Sequence, residues 1–462
     1  MMDFAAPTNV VGLPPEESAK LAQLVKVYKA HRPGNEQKNK YYEGAISLND
    51  VNLGIALPEG MRGLEIGCAW GAKCVDVLAA RSMFDGFVGV NGESVEELDR
   101  IVTANNLIAQ YQKACRDELK LGAVFATLSK DTGAGCKIRY HSERTAAALW
   151  DGDKGRIDCG FAIIDAAQDN KERWVPSLIY LYTDTDVWAI MRRESIWTAE
   201  RYPHAMGRPL MEPMIWNATS EKPFGRSRIK EPVRRLIDGY VRTVANATIG
   251  LEFSTTPQKY LLGVTDEQFD AVVNQKFRQY VGSILASTTN PETGEKPTFG
   301  QLSQGSLEPH IQMLRALATQ FAAATGLSVT DTGVVNDANP TSSDAILAQT
   351  QTLVGMAEQL NTGNGDALRT IAHMALAIAN DTTIDGLTDE QRDVVAHFKN
   401  PAMPSVAVTA DAAIKIATAR PEFAATDTFL EMIGFDQADI RRINAQEVRA
   451  RGMSVLEGLE AD

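Results

Sequence analysis

Residues 63 to 72 read GLEIGCAWGA, a short apolar stretch running through glycines into a helical pattern. In that arrangement a backbone can approach a nucleotide-like cofactor at a helix N-terminus. Gly67 and Gly71 would supply the turn, and the later GFVGVNGE ends at Glu93, an acid placed to bond a cofactor ribose. The chemistry so encoded is that of an S-adenosylmethionine-dependent methyltransferase. Against it, the preceding GMR is too short and polar to begin a buried parallel strand. No Asn/Asp-Pro-Pro-aromatic signature follows either, so the glycines are expected to serve packing.

Other chemistry has less support. The six histidines (His31, His141, His204, His310, His373, His397) stand alone, without HExxH or another ligand spacing. There is no GxSxG, Walker loop or paired acid cluster. No catalytic residue, metal or cofactor is expected. Five cysteines (Cys68, Cys74, Cys115, Cys136, Cys159) lack any CxxC pair and read as reduced, buried thiols. A net charge of −13 argues against a chain that coats nucleic acid with a general basic surface. The N-terminus has no basic region with an apolar run behind it, and no stretch of ~18 apolar residues occurs, so neither export nor a membrane is expected.

The elements that must carry any function read as α+β. Residues 15 to 31 form an amphipathic helix that Pro33-Gly34 is expected to end. Helical patterns cover 71 to 81 and 93 to 120, the second opened by a Ser94/Glu97 capping box. From 122 to 216 the period becomes two, in GAVFATLS, CKIRYHS, RIDCGFAII, PSLIYLYT and DVWAIMRR. Tyr180, Tyr182, Trp188 and Ile190 fall at alternating positions of a hairpin that turns at Thr183 to Asp186.

Val233, Leu236, Ile237, Tyr240, Val241, Val244, Thr248 and Leu251 then repeat at three- and four-residue steps, a rod of roughly 36 Å over 229 to 252. Lys222 to Glu252 carries a local +4. A second rod opens at Ser306, with Pro309 in its first turn, and closes at Gly326. Between them, 253 to 305 reads as a small insert holding a strand at KYLLGV and a helix DEQFDAVVNQKFRQYV. Beyond lies SVTDTGVVNDANPTS, acidic and without Lys or Arg, and a helix from 343 to 361. From 405 come three short helices that stop at Pro421, Gly434 and Gly452.

This order resembles the portal proteins of tailed double-stranded-DNA bacteriophages, especially those of phages of actinobacteria. The resemblance spans nearly the whole chain and is carried by CVDVLAARSMFDGF, SIWTAERYPH, PFGRSRIKEPVRRLID, FGQLSQGSLEPHIQMLRALATQFAAATGL, NPTSSDAI, VTADAAIKI and FLEMIGF. It implies a portal fold with an α/β wing, two long stem helices flanking a small α/β clip, and a helical C-terminal crown. Mapped here, 1–50 is an N-terminal arm, 51–225 and 341–404 the wing, 226–252 and 304–326 the stem helices, 253–303 the clip, 327–341 the tunnel loop and 405–462 the crown.

The same resemblance implies a dodecameric ring at one capsid vertex in the virion, assembled in the host cytoplasm. Double-stranded DNA would pass through its channel. Its partners would be the terminase large subunit, the major capsid protein, a scaffold and a head-tail adaptor protein, with no membrane. The tunnel-loop candidates are Asp331, Thr332, Val334, Val335, Asn336 and Asp337. An acidic ring there repels phosphate, whereas each neutralised phosphate would add affinity and stall movement. The basic stem residues Lys230, Arg234, Arg235 and Arg242 either touch phosphates weakly or pair with acids of a neighbouring subunit, and we expect pairing for most. Another virion structural subunit is the remaining alternative, but it needs no two stalk helices around an insert.

Overall fold

The structure is a computed structural model that describes residues 7, 9–47, 65–89, 95–133, 135–168, 174–193, 196–255, 259–262, 294, 298–301, 306–333, 343–402, 406–435, 439–440 and 442–450. Strand β1 (Val10–Val11) leads into α1 (Pro15–Glu43), then β2 (Ala45–Ser47) pairs antiparallel with β3 (Glu65–Gly67). Next come α2 (Trp70–Ala79), β4 (Phe84–Gly89), α3 (Glu96–Ala104) and α4 (Leu107–Leu121). Eight strands follow: β5 (Ala123–Asp131), β6 (Gly135–Ser142), β7 (Ala146–Asp151), β8 (Arg156–Gln168), β9 (Trp174–Tyr182), β10 (Asp186–Arg193), β11 (Ile196–Pro203) and β12 (Met211–Ile215). Helices α5 (Glu231–Thr255) and α6 (Glu308–Thr325) flank a two-stranded ribbon of β13 (Lys259–Leu262) and β14 (Thr298–Gln301). The chain continues as α7 (Ser343–Ala379), α8 (Asp389–Arg392), β15 (Val394–Phe398), α9 (Val406–Ala419) and α10 (Asp427–Ile433), and 442–450 is again helical.

A six-stranded sheet, ordered β1-β11-β10-β9-β8-β7, has buried residues on both faces of β7 to β10, while β11 is largely exposed. Side chains alternate along a strand. Phe161, Ile179, Leu181, Trp188 and Ile190 therefore pack on Leu21, Leu24, Val25 and Tyr28 of α1. Ala148, Ala162 and Tyr182 turn the other way, into the main core with β12-β5-β6 and helices α2, α4 and α7. The β9-β10 hairpin turns at Thr183 to Asp186 as expected, with Tyr182 opposite Val187, and it places Tyr180 and Tyr182 on one face and Trp188 and Ile190 on the other. All five cysteines are buried and free.

Three sequence expectations need correction. Pro33 does not end α1, which runs on to Glu43 and stops at Gly44, whose φ is 72°. The turns beyond Pro33 are held by tertiary bonds: Asn35 donates to Glu143 (3.0 Å), Lys38 to the Leu121 carbonyl (2.7 Å) and Tyr41 to Asp238 (2.7 Å). These outweigh the missing N–H of one proline. The pattern from 93 to 120 is two helices, broken at Asn106 in the left-handed region (φ 48°). Ser94 lies outside the described residues, and Val95, with no side-chain cap bond, stands before α3. Glu97 instead accepts from Asn380 (3.0 Å) and Gln391 (3.2 Å). Finally, α7 is 37 residues long, extending well past 361, because its second half is buried through Leu368, Ile371, Met374, Ala375 and Leu376. Packing there overrides the three glycines that argue locally against a helix.

Where α4 crosses α7, a polar group sits in this core. The Asn364 amide donates to Glu118 Oε2 (2.8 Å) and to the Tyr111 hydroxyl (3.1 Å), which bonds Ser82 (2.6 Å). Glu118 Oε1, Asn364 Oδ1 and the Tyr140 hydroxyl have no partner among the described residues. Burial pushes the Glu118 carboxyl up to about 8 from an ordinary 4.5, the Asn364 bond opposing it. The unfolded chain loses this proton near pH 4.5 while the folded chain keeps it to about pH 8, so stability falls as pH rises between them. Glu118→Gln keeps the bond and removes the titration. Its unfolding free energy should match wild type at pH 4.5 and exceed it by on the order of 1–3 kcal/mol at pH 8. Glu143 and Glu212 are shifted the same way, so the readout is the difference between the two denaturation curves.

Candidate functional site at the base of the helix pair

Helices α5 and α6 run antiparallel, Gly239 facing Leu317 and Gly250 facing Leu307. Val233, Ile237, Val241 and Ala245 make a buried stripe at four-residue spacing on α5, and Leu317, Ala318 and Phe321 answer it from α6. At the opposite end, Leu251, Ile311 and Met313 are exposed. The pair is thus seated in the core at one end and stands out of it at the other. The second helix starts at Glu308 with Leu307 before it, one residue later than a Ser306 cap implies, although Ser306 Oγ still accepts from the Glu308 amide (3.2 Å).

Arg228 fixes the seat. The chain reaches α5 through Ser227, whose hydroxyl donates to the Lys120 carbonyl (2.5 Å), while the Arg228 amide donates to Leu119 O (2.9 Å). The Arg228 guanidinium is buried, donating to the Cys74 carbonyl of α2 and to the Thr325 carbonyl that ends α6 (2.6 Å). It also lies 5.8 Å over the Trp216 ring and 3.5 Å from Met356 Sδ of α7. A guanidinium at a helix C-terminus meets free carbonyls and the negative end of the dipole. Burial draws its pKa below the ordinary value, with the nearby Cys74 opposing. Gly225, at φ 67°, admits this approach, since a Cβ there would stand 2.1 Å from the Trp216 carbonyl.

Trp70 completes the base. Its ring lies 4.6 Å from Tyr240 of α5 and stacks at 4.8 Å on Phe321 of α6. Its Nε1 donates to the Thr332 carbonyl (3.2 Å), tying the segment after α6 to the start of α2. In that segment Asp331 accepts from the Ser328 amide (3.1 Å) and hydroxyl (2.7 Å), and Thr332 Oγ1 bonds the Val329 carbonyl (2.5 Å). The Asp331 carboxylate therefore caps its own turn, which Gly333 closes at φ 83°. Of the loop candidates, Asp331 and Thr332 are placed here, while Val334, Val335, Asn336 and Asp337 lie outside the described residues.

The four basic candidates divide. Arg234 donates to the Ile229 carbonyl (3.0 Å) and lies 6.0 Å over the Tyr41 ring. Arg235 pairs with Glu231 one turn back, Nε to Oε1 at 3.0 Å, an exposed pair that solvent screens and that adds little to stability. Lys230 and Arg242 are exposed. Arg228 and Trp70 were not singled out from sequence. Nothing in one dimension separates buried Arg228 from exposed Arg226 and Lys230, and Trp70 sits inside the glycine loop that drew attention for another reason.

That loop is not a cofactor cradle. Strand β3 pairs only with β2, antiparallel, and β4 pairs antiparallel with β15, so among the described residues the parallel β-α-β frame is missing. A Cβ on Gly71 would stand 2.0 Å from the Tyr41 carbonyl, which makes Gly71 the crossing point of α1 and α2. Glu93 lies outside the described residues. Among the described residues no group of three His, Cys, Asp or Glu is placed to hold a metal, and no helix is long and apolar enough to cross a membrane.

The family model described as phage portal protein, SPP1 Gp6-like, matches residues 22–451. No curated protein matches significantly. Among solved structures, the neck of an empty GTA particle computed with C6 symmetry is similar at a TM-score of 0.45 and 14% identity, over 77% of this chain and 86% of that one. The neck of a native GTA particle computed with C12 symmetry gives 0.44 and 12%, over 79% and 89%.

The Trp70 bond has a direct test. Trp70→Phe keeps a ring between Tyr240 and Phe321 but loses the donor to Thr332. Amide exchange across 328–333 should accelerate, with a loss of about 1 kcal/mol in global stability. Unchanged exchange would show that Trp70 does not hold this turn.

Proposed function

The chain belongs to the phage portal protein family of the SPP1 Gp6-like kind, and from that premise we propose that twelve copies form the ring at one vertex of a phage head. DNA enters and leaves through its axial channel. The terminase large subunit docks on it during filling and a head-tail adaptor protein afterwards, with the major capsid protein and a scaffold around it. The family is structural, and the chain acts as a conduit without catalysis.

The observation that carries this reading is the helix pair, seated at one end and bare at the other. Exposed Leu251, Ile311 and Met313 on a projecting pair call for lateral cover, which neighbouring pairs in a ring supply. In this reading α5 and α6 are the stem and the ribbon β13-β14 belongs to the clip. The packed sheets with α2 to α4 and α7 are the wing, 327–341 is the tunnel loop, and the helices from 405 are the crown. The helix expected at 266 to 281 in the clip lies outside the described residues.

The charges suit passage of a duplex. With Arg228, Arg234 and Arg235 engaged inside the subunit, exposed Lys230 and Arg242 remain to meet phosphate or a neighbour. An acidic loop at the neck of the channel repels phosphate and keeps DNA centred.

Native mass measurement and negative-stain imaging of the purified chain test the ring. The expected result is a particle with an axial hole and twelve times the 50.3 kDa chain mass. A stable monomer that binds S-adenosylmethionine overturns the reading. If rings form, Asp337→Lys should raise their affinity for duplex DNA, steepen its salt dependence and slow packaging in vitro. Unchanged affinity and packaging remove Asp337 from the channel wall.

A further inference from the structure

The ring reading leaves open which surfaces of one copy meet the next, and two patches at opposite ends of α4 answer that. At the C-terminal end of α4 lies a cleft of about 590 Å³ between α1 and the segment 222–230. Leu121, Pro223 and Phe224 give it an apolar floor. Two of its cations are engaged internally: Lys38 with Asn35 and the Leu121 carbonyl, and Arg234 with the Ile229 carbonyl. Its acid, Glu143, is bonded by Asn35. Lys222, Arg226 and Lys230 on the rim are exposed, and their side chains have no ionic partner among the described residues.

Beyond the N-terminal end of α4 the charge reverses. Helix α3 joins α4 through Asn105 and Asn106, and its Glu97 is bonded by Asn380 and by Gln391 of α8. That brings the segment 381–393 beside α3. Asp385, Glu390 and Asp393 stand exposed there, again without an ionic partner among the described residues. Val395, 40% exposed, lies two residues further along. The 15 residues of α4, about 22 Å of helix, run from the Asn105–Asn106 joint with α3 to Leu121 in the cleft floor.

We propose that the cationic cleft of one copy receives the acidic patch around Asp385, Glu390 and Asp393 of the next copy. A patch at one end that fits a different patch at the other makes a heterologous contact, which closes into a ring when the rotation per step allows. Charge at both surfaces steers the encounter and fixes the register, and an apolar side chain such as Val395 has the cleft floor to cover it. A polynucleotide fits less well, since a cleft with a floor of leucine, proline and phenylalanine suits carboxylates standing beside aliphatic groups. The proposal rests on the ring reading and goes beyond it by naming the two faces.

Two charge-reversed full-length variants test it: Lys222→Glu/Arg226→Glu/Lys230→Glu, and Asp385→Lys/Glu390→Lys/Asp393→Lys. All six side chains are exposed, so circular dichroism melting should stay at the wild-type value, and native mass spectrometry then reads assembly across a salt series. Each variant alone should lose about tenfold or more of the ring population, the equivalent of roughly 1.4 kcal/mol summed over the whole ring. An equimolar mixture should restore rings, because each reversed face then meets its complement. Wild-type rings together with normal rings from both variants overturn the pairing and leave the ring reading standing. A wild-type chain that stays monomeric, with no association in the mixture, overturns both. A cation-reversed variant that keeps its rings but loses binding to a labelled duplex assigns the cleft to phosphate and overturns the proposal.

Discussion

A guanidinium cannot be left in a protein interior without partners, and that constraint organises this molecule. Arg228 is buried, and a buried charge of this kind is tolerated only when its donors are met. The acceptors come from separate parts of the chain: a carbonyl in the middle of α2, and the carbonyl that ends α6. The Trp216 ring and the Met356 sulfur enclose the remainder. Arg228 and Thr325 are 97 positions apart in the chain. The bond therefore forms only when both long helices have returned to the same base. It sets where α5 begins and where α6 stops, and it does so from the layer that carries the sheets.

Rigidity at that base has a consequence at the other end. Trp70 wedges between Tyr240 and Phe321, and the stripe Val233, Ile237, Val241, Ala245 is fully buried. Above Ala245 the stripe has no core to face, and Leu251 is exposed. The base supplies direction, and Ile311 and Met313 at the far end of the pair are exposed with Leu251. The turn at Thr330–Thr332 hangs from the same wedge through the Trp70 indole, so the acidic segment begins from a fixed point.

Legibility in the sequence followed the range of the interaction concerned. The rod around 229 to 252 was readable because its apolar residues recur within one helix, and the turn at Thr183 to Asp186 because a hairpin is local. Gly326 and Gly434 were readable as helix ends for the same reason. Distant contacts decided the rest. Pro33 looked like a stop, yet Asn35, Lys38 and Tyr41 are held by partners some 80 to 200 residues away. The length of α7 is set by a core that spans the chain, and β4 finds β15 across three hundred residues. At the site itself, basic residues around the start of α5 were visible as a cluster. Their division into buried Arg228, locally bonded Arg234 and Arg235, and open Lys222, Arg226, Lys230 and Arg242 was not. A one-dimensional charge count treats them alike.

The glycine loop shows the same limit from the other side. GLEIGCAWGA carries the local features of a cofactor turn, and a strand and a helix do flank it. What a nucleotide needs is an open helix N-terminus at the edge of a parallel sheet. Here the N-terminal residue of α2 is Trp70, whose ring is covered by both long helices, and the glycine behind it lies against the Tyr41 carbonyl at a distance no side chain could share. A free helix start and a filled one have the same sequence pattern, because what fills it comes from elsewhere in the chain. The distinguishing residue was the tryptophan: a large ring at the first position of a glycine-flanked helix leaves little room for a phosphate and much surface for packing. In this chain that surface closes the base of the helix pair.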